Sequence, residues 1–235
     1  VDEKMASIRI AEIFRSIQGE GTLTGTESVF IRVSGCNLRC WFCDTRYASW
    51  EPNGIPMSLE QILESVARWD TRHVVITGGE PMLFPLLVPL TEKLKEAGRH
   101  ITIETAGTVF RPVACDLMSI SPKLSNSTPW GATSPGLIHK HEANRYRPEV
   151  IRQLVQQYEY QFKFVIDGPS DLPEVEAYLR EFPELQRERI MLMPQGTEIA
   201  GLREKGIWIE EYCKSRGLKF CPRRQIEWFG CTPGT

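Results

Sequence analysis

No run of apolar residues in this 235-residue chain approaches the ~20 needed to cross a bilayer. The opening Val1-Asp2-Glu3-Lys4-Met5 lacks the apolar stretch of a secretory signal. Charge of one sign is not in excess either. Twenty-eight Lys and Arg stand against 30 Asp and Glu, for a net charge of -2 and a pI near 6.2. Lys4, Arg9 and the Arg223-Arg224 pair form no stripe of the kind that follows a phosphate backbone, so no nucleic-acid partner is expected. A charged small-molecule substrate then needs a local basic site. There is no repeat of fixed period and no low-complexity tract. Histidine is sparse, and the close pair His139 and His141 reads as loop polarity. Cysteine numbers seven, odd and too few for a disulfide scaffold in a chain of this size, and three of the seven sit together. These features are those expected of a cytoplasmic protein that uses cysteine for metal.

The composition, 41% hydrophobic and 25% charged, is that of a globular protein with a substantial core. The length fits one large domain or two small ones; a single domain over 1–235 is expected. Strand patterns run over Ile8 to Phe14, Ser28 to Val33, His73 to Thr77, His100 to Glu104, Asp116 to Ser121, Gln161 to Ile166, Glu188 to Met193 and Leu218 to Phe220. Helical patterns run over Ser58 to Trp69, Pro85 to Ala97, Glu149 to Tyr158, Ser170 to Phe182 and Ile199 to Arg216. Ser58 with Gln61 makes a capping box at the first helix. Strands alternating with helices predict a parallel α/β sheet with crossover helices. In such sheets ligands bind beyond the carboxyl ends of the strands. The polar and glycine-rich segments gather at those ends: Gln18 to Gly21, Cys36 to Cys43, Gly78 to Pro81, Glu104 to Thr108, Ser121 to Lys123 and Met193 to Gly196. Residues 124–147 are the least regular stretch and read as a long loop, either a cover or a mobile segment.

Cys36-Asn37-Leu38-Arg39-Cys40-Trp41-Phe42-Cys43 sets three cysteines at C-x3-C-x2-C spacing. A [4Fe-4S] cluster takes one outside ligand per iron, so three thiolates leave one iron open to a small molecule. Gly35, just before the first cysteine, permits a sharp turn around a bulky group. The spacing alone leaves open a zinc knuckle with a distant fourth ligand, or cysteines packed as small hydrophobes. Cys213, Cys221 and Cys231 are too widely spaced to suggest a second cluster.

The three-cysteine loop together with Gly78-Gly79-Glu80-Pro81 at the next strand end resembles the radical S-adenosylmethionine enzymes. Within them the chain is similar to the 7-carboxy-7-deazaguanine synthases of queuosine (7-deazapurine) biosynthesis. The resemblance rests on Glu12-Ile13-Phe14, Ser16 to Gly21, Phe30 to Leu38, Cys43-Asp44-Thr45, Thr77 to Pro81, Glu104 to Thr108 and Ser121-Pro122-Lys123, in that order over roughly residues 10–125. It is looser from 124 onward.

The resemblance implies a modified or incomplete TIM-like barrel, acting as a carbon–nitrogen lyase. A 5′-deoxyadenosyl radical takes hydrogen from 6-carboxy-5,6,7,8-tetrahydropterin, the ring contracts and ammonia leaves. The implied cofactors are a [4Fe-4S] cluster on Cys36, Cys40 and Cys43, S-adenosylmethionine, and Mg²⁺ on the Thr45 hydroxyl. The implied partners are an electron donor such as flavodoxin or ferredoxin, and a second copy in a homodimer.

For S-adenosylmethionine the resemblance points to Phe42 near the adenine, Cys43, Asp44, and the backbone and carboxylate acceptors of Gly78, Gly79 and Glu80. Glu104, Ser121, Pro122, Lys123, Met193, Pro194, Gln195 and Gly196 complete that set. For the pterin it points to Ile17, Gln18, Gly19, Glu20, Arg32, Thr77 and the terminal carboxylate of Thr235. Arg32 suits a bidentate grip on a carboxylate, with a structural salt bridge as the plainer alternative. Gln18 and Glu20 suit a pterin edge, or a polar turn; Glu104 suits a ligand, or a brace between loops. No residue stands out as a general acid or base. Two rival functions share parts of the pattern: an activase that installs a glycyl radical on a partner protein, and a non-catalytic iron–sulfur carrier.

Overall fold

The computed structural model describes residues 7–131, 134–232 and 234. Among them nine strands form one sheet in the order β3-β1-β2-β4-β5-β6-β7-β8-β9. They are β1 (Ile8–Ile17), β2 (Glu27–Val33), β3 (Ile55–Met57), β4 (His73–Gly78), β5 (His100–Thr105), β6 (Leu117–Ile120), β7 (Tyr160–Ile166), β8 (Ile190–Pro194) and β9 (Lys219–Phe220). From β2 to β9 every neighbouring pair is parallel. The sheet is not closed: β3 and β9 are its two edges. This is the incomplete α/β barrel expected from the sequence.

The parallel strands are buried on both faces and read as nearly continuous apolar runs, as such strands must. Val74, Val75, Ile76, Ile101, Ile103, Met118, Ile120, Phe162, Phe164 and Leu192 are all withdrawn from solvent. The crossover helices are α2 (Leu59–Ala67), α3 (Leu87–Glu96), α5 (Pro148–Gln157), α6 (Leu172–Glu181) and α7 (Ile199–Arg216). α2 begins with the expected capping box: Gln61 N donates to Ser58 Oγ at 3.3 Å and Ser58 N to Gln61 Oε1 at 2.8 Å. α7 runs unbroken through Gly201 and Gly206. At Gly206 a side chain would press on the Phe220 ring, its Cβ lying 3.2 Å from the ring edge.

The start of the chain departs from the all-parallel expectation. β1 is antiparallel to β2, with Phe14 opposite Phe30, and antiparallel to β3. The link from β1 to β2 is too short for a parallel crossover, which takes a dozen or more residues. It closes instead as a turn, with Gln18 N donating to Thr26 O at 2.9 Å and Gly25 N to Gln18 O at 2.8 Å. β3 is only three residues long and contains Pro56, which suits an edge strand and hides it from a periodicity search.

The described residues of 124–147 are not a long loop. They hold a 3₁₀ turn at Ser125–Ser127 and the helix α4 (Pro135–Arg145). Two short helices, α1 (Arg46–Ser49) and α8 (Arg224–Phe229), were likewise unpredicted. α4 lacks an apolar stripe because its one fully buried residue is polar. His141 is 0% exposed, and burial pushes its pKa down to about 4. Its Nδ1 accepts from Arg39 N at 3.0 Å, and its Nε2 meets Ser127 Oγ at 3.0 Å. Trp41 adds two bonds to the same segment: its indole N–H donates to Asn126 O at 2.6 Å and its backbone N–H to Ser127 O at 3.1 Å. His141, read from sequence as loop polarity, is therefore a brace beneath the three-cysteine loop.

His141→Ala leaves the Arg39 amide without its buried acceptor, a loss of ~1–3 kcal/mol for such a group, while the Ser127 hydroxyl keeps its bond to Leu124 O. Hydrogen exchange at Arg39 should quicken by about tenfold or more while the amides of β4 and β7 keep their protection. Unchanged exchange at Arg39 would reject the brace.

Candidate active site

A cavity of about 300 Å³ opens at the carboxyl edge of the sheet. Its walls come from the ends of β1, β4, β5, β6 and β8, the three-cysteine loop after β2, mid-strand residues of β2 and β7, and the segment leading into and out of α8. The parallel topology brings the segments after β2, β4, β5, β6 and β8 to one edge, since every crossover returns the chain there, and the end of the antiparallel β1 reaches the cavity from the amino end of β2.

The cysteine loop is shaped by backbone contact with the Gly-Gly turn. Gly35 has φ +136°, and Glu80 N donates to Gly35 O at 2.8 Å. A Cβ on Gly79 would lie 2.0 Å from Gly35 O, so no larger residue fits there. Cys36, Cys40 and Cys43 are free thiols lining the same cavity. Leu38 N donates to Cys36 Sγ at 3.3 Å, and Cys43 Sγ lies 3.0 Å from Ser49 Oγ and 3.7 Å from Thr45 Oγ1. Burial pushes Cys36 up to about 12 and Cys40 up to about 11, and for both the neighbouring thiols add to the effect. Among the described residues no three Cys, His, Asp or Glu side chains, these thiols included, are gathered closely enough to hold a single ion. Three thiols spread around one cavity suit a bulky cluster with one iron open rather than a zinc knuckle, whose ligands converge on one ion.

On the side of the cavity nearer β1, Glu104 joins two elements. Its Oε1 accepts from Gln18 Nε2 at 3.1 Å and its Oε2 from Thr77 Oγ1 at 2.7 Å. Gln18 Oε1 in turn accepts from Glu20 N at 3.1 Å. Arg32 faces the cavity, but its Nε donates to Glu12 Oε1 at 2.6 Å, and Tyr47 Oη donates to the same oxygen at 2.6 Å. The plainer reading of Arg32 as a salt bridge is thus true of its Nε. Among the described residues its two terminal nitrogens make no hydrogen bond.

Glu20 sits in a charged cluster that sequence reading missed. It pairs with Lys163 of β7, with Arg223 at 3.5 Å, and with Gln225 Nε2. Burial alone would push Glu20 up, but Lys163 and Arg223 hold it down to about 2. Burial also works against the charge on Lys163, and Glu20 and Glu104 outweigh it, so that its pKa rises. Lys163 had a usable signal: it is a lysine inside the apolar run Tyr160 to Ile166, and a buried lysine needs a partner. Arg223 had none, since Pro222-Arg223-Arg224 looks like a surface turn.

On the side of the cavity away from β1, Lys123 Nζ donates to Ser121 O at 2.6 Å and to Ser121 Oγ at 2.9 Å. Ser121, Lys123, Met193 and Gln195 line the cavity, as do Phe42, Asp44, Thr45, Gly78 and Gly79. Among the described residues Pro122, Pro194 and Gly196 are not in its wall, and Gly196 instead accepts from Arg223 Nη1 at 2.5 Å. Glu80 needs a correction. Its carboxylate is 0% exposed and turned inward, accepting from Thr105 Oγ1 at 2.8 Å, Ala106 N at 2.8 Å and Met82 N at 3.1 Å. Three donors fix it as a strut between the ends of β4 and β5, so the turn offers the cavity the backbone of its glycines and not this carboxylate. Thr235 lies outside the described residues. Cys213 and Cys221 are buried apart from the cysteine loop, Cys213 donating to Lys219 O and Cys221 accepting from Gly21 N.

The radical SAM superfamily matches residues 30–123. The 7-carboxy-7-deazaguanine synthase of Rhodopirellula baltica is 48% identical over 231 residues, covering 98% of this chain and 90% of the relative. The chain belongs to the 7-carboxy-7-deazaguanine synthase family. The synthase of Halobacterium salinarum is 40% identical over 239 residues, covering 97% of this chain and 93% of its own. The crystal structure of QueE from Escherichia coli shares the fold with a TM-score of 0.69 at 24% identity, over 93% of this chain and 94% of that one. The family resemblance read over residues 10–125 therefore extends through the looser second half, which carries Lys163 and Arg223.

The depressed carboxyl of Glu20 ties stability to pH. A group at about 2 in the fold against 4.5 ordinarily contributes stability that is whole above pH 4.5 and lost as pH falls toward 2. Glu20→Gln should flatten the fall in urea-unfolding free energy across that window. An identical acid limb in the variant would show that Glu20 is not held down by its partners.

Proposed function

We propose that this chain is a 7-carboxy-7-deazaguanine synthase, a radical S-adenosylmethionine lyase that contracts the ring of 6-carboxy-5,6,7,8-tetrahydropterin with loss of ammonia. The observation that carries the reading is one cavity that joins a three-thiol loop to the half-buried carboxylate acceptors Glu20 and Glu104. When bound, a [4Fe-4S] cluster and S-adenosylmethionine supply the 5′-deoxyadenosyl radical that starts the reaction. Cys36, Cys40 and Cys43 hold the cluster. Phe42 packs against the adenine. Asp44, the backbone of Gly78 and Gly79, and Ser121, Lys123, Met193 and Gln195 take the rest of the nucleoside and its methionine.

The pterin lies against Gln18, Gly19, Glu20, Thr77 and Glu104. Glu20 and Glu104 each keep lone pairs for ring N–H groups beyond the bonds they already accept. Gln18 and Thr77 hold Glu104 in place. Arg32 takes the substrate carboxylate end-on through its terminal nitrogens, because Glu12 occupies its Nε. Phe14, Phe30 and Ile17 supply an apolar wall that keeps water from the reacting carbon. The Thr45 hydroxyl, in the cavity wall, would be the protein's ligand to Mg²⁺, which would supply charge for the substrate carboxylate. A one-electron donor protein and a homodimer complete the reading. Among the described residues no helix is long and apolar enough to cross a membrane.

The test is anaerobic. Protein reconstituted with iron and sulfide is given reductant, S-adenosylmethionine and the carboxypterin, and products are read by mass spectrometry. The mass of 7-carboxy-7-deazaguanine supports the proposal. Methionine and 5′-deoxyadenosine alone would reject the substrate and favour the glycyl-radical activase, and no cleavage at all would favour the electron carrier. Thr45→Ala should shift the Mg²⁺ concentration giving half-maximal rate upward by about tenfold, the scale of ~1.4 kcal/mol. An unaltered metal response would remove Thr45 from the Mg²⁺ site.

A further inference from the structure

Arg223 is 8% exposed and stands just before α8, far in sequence from every motif that identified the site. Its guanidinium reaches three separate segments. It hydrogen-bonds Asp44, the residue after the third cysteine, and forms an ion pair with Glu20 of the β1–β2 turn, its Nε 3.5 Å from Oε1 without a hydrogen bond. Its Nη1 donates to Gly196 O, just past β8, at 2.5 Å. The flanking residues reinforce one of these contacts. Arg224 N donates to Gly19 O at 3.1 Å, and Gln225 Nε2 donates to Glu20. Gly19 is packed so closely that a Cβ there would lie 2.4 Å from Gln225 N.

The two carboxylates differ in what they have besides Arg223. Glu20 keeps Lys163 and Gln225. Asp44 has no other ion-pair partner among the described residues. A planar guanidinium presents donors in fixed directions and can bridge two carboxylates from different loops, whereas an ammonium is a point charge with no fork.

We propose that Arg223 is a positioning residue that locks the Gln18–Gly21 turn to the cysteine loop through Glu20 and Asp44, and so sets the pterin half of the cavity in register with the adenosyl half. This rests on the pterin reading above. The consequence is coupling: hydrogen transfer needs the reacting carbon within reach of the radical, and a shift of about 1 Å between the two halves is enough to cost ~100-fold. Loss of the lock lets S-adenosylmethionine be cleaved without pterin turnover.

The experiment compares Arg223→Gln, Arg223→Lys and Asp44→Asn with wild type, each as reconstituted holoenzyme. Arg224→Ala serves as the control, since that side chain is exposed and pairs with Glu227. Three readouts are taken: 5′-deoxyadenosine formed per product, the Kd of 6-carboxy-5,6,7,8-tetrahydropterin by calorimetry, and hydrogen exchange over residues 18–21 and 43–46. Arg223→Gln should raise the Kd about 10-fold or more, the scale of one lost charged hydrogen bond. It should also raise the 5′-deoxyadenosine-to-product ratio and quicken exchange in both segments. Arg223→Lys should recover the Kd in part but not the ratio. Asp44→Asn should raise the ratio and quicken exchange over 43–46. The control should match wild type.

The proposal is overturned if Arg223→Gln, with full iron content, keeps the wild-type ratio and exchange. It is also overturned if Arg223→Gln fails to fold while Arg223→Lys and Asp44→Asn both keep the wild-type ratio. If wild type itself neither binds nor converts the pterin, the substrate reading fails, and the exchange data still decide whether Arg223 joins the two segments.

Discussion

Lys163 stands in the middle of a strand buried on both faces, 4% exposed, and a charge there persists only beside an opposite charge. Much of the cavity follows from that constraint. The β1–β2 turn leaves the sheet at the amino end of β2 and must fold back against the sheet to bring Glu20 to β7. In doing so it carries Gln18 to Glu104 of β5, which also takes the hydroxyl of Thr77 from β4. Arg223 then adds a second cation to Glu20 and draws in Asp44. Glu20, Lys163 and Arg223 are thus neutralised largely out of water in the cavity wall, with Asp44 at the exposed rim of the group. Such a group of charges is costly to assemble and costly to break. It holds an acceptor-rich wall in place before any substrate arrives, which is the condition for selective binding of a small donor-rich molecule.

The cysteine loop obeys a different physics. It buries Leu38 and Cys40, and beyond these it is held by backbone contacts and by polar braces. The Gly-Gly turn lies directly against Gly35, and Glu80 fastens that turn to β5 from within. From the other side the 3₁₀ turn Ser125–Ser127 and α4 hold Arg39 and Trp41. The result is a loop supported on two sides with its thiols turned to the cavity. A bulky inorganic group can then be seated without reorganising the sheet beneath it.

Much of this was legible in the residues. Alternating apolar strands and helices identified a parallel α/β sheet, because buried strands need unbroken apolar runs and their helices need amphipathic faces. The cysteine loop, Gly78-Gly79, Glu104 and Ser121 to Lys123 lie at the carboxyl edge where the sequence placed them, whereas Gln18 to Glu20 leave the amino end of β2 and reach the same cavity from there. They are legible because each is a short local signal at the end of a periodic element. The antiparallel β1, the three-residue β3 and the helix α4 were not legible. The first depends on a loop length, the second carries a proline in three residues, and the third buries a polar face against another loop.

The chain order and its periodicities were thus enough to specify the parallel part of the sheet, its carboxyl edge and the three thiols, since these follow from local patterns and from the handedness of crossovers. Tertiary structure alone decided the pairing of buried charges. Glu80 and Glu104 are both acids at the ends of neighbouring strands, yet Glu80 meets three inward donors and becomes a strut while Glu104 faces the cavity. Arg223 and Arg224 are adjacent and identical, yet one is buried between two loops and the other pairs with Glu227 in solvent. Which role each takes depends on partners up to two hundred residues away, and no local pattern encodes a partner at that distance.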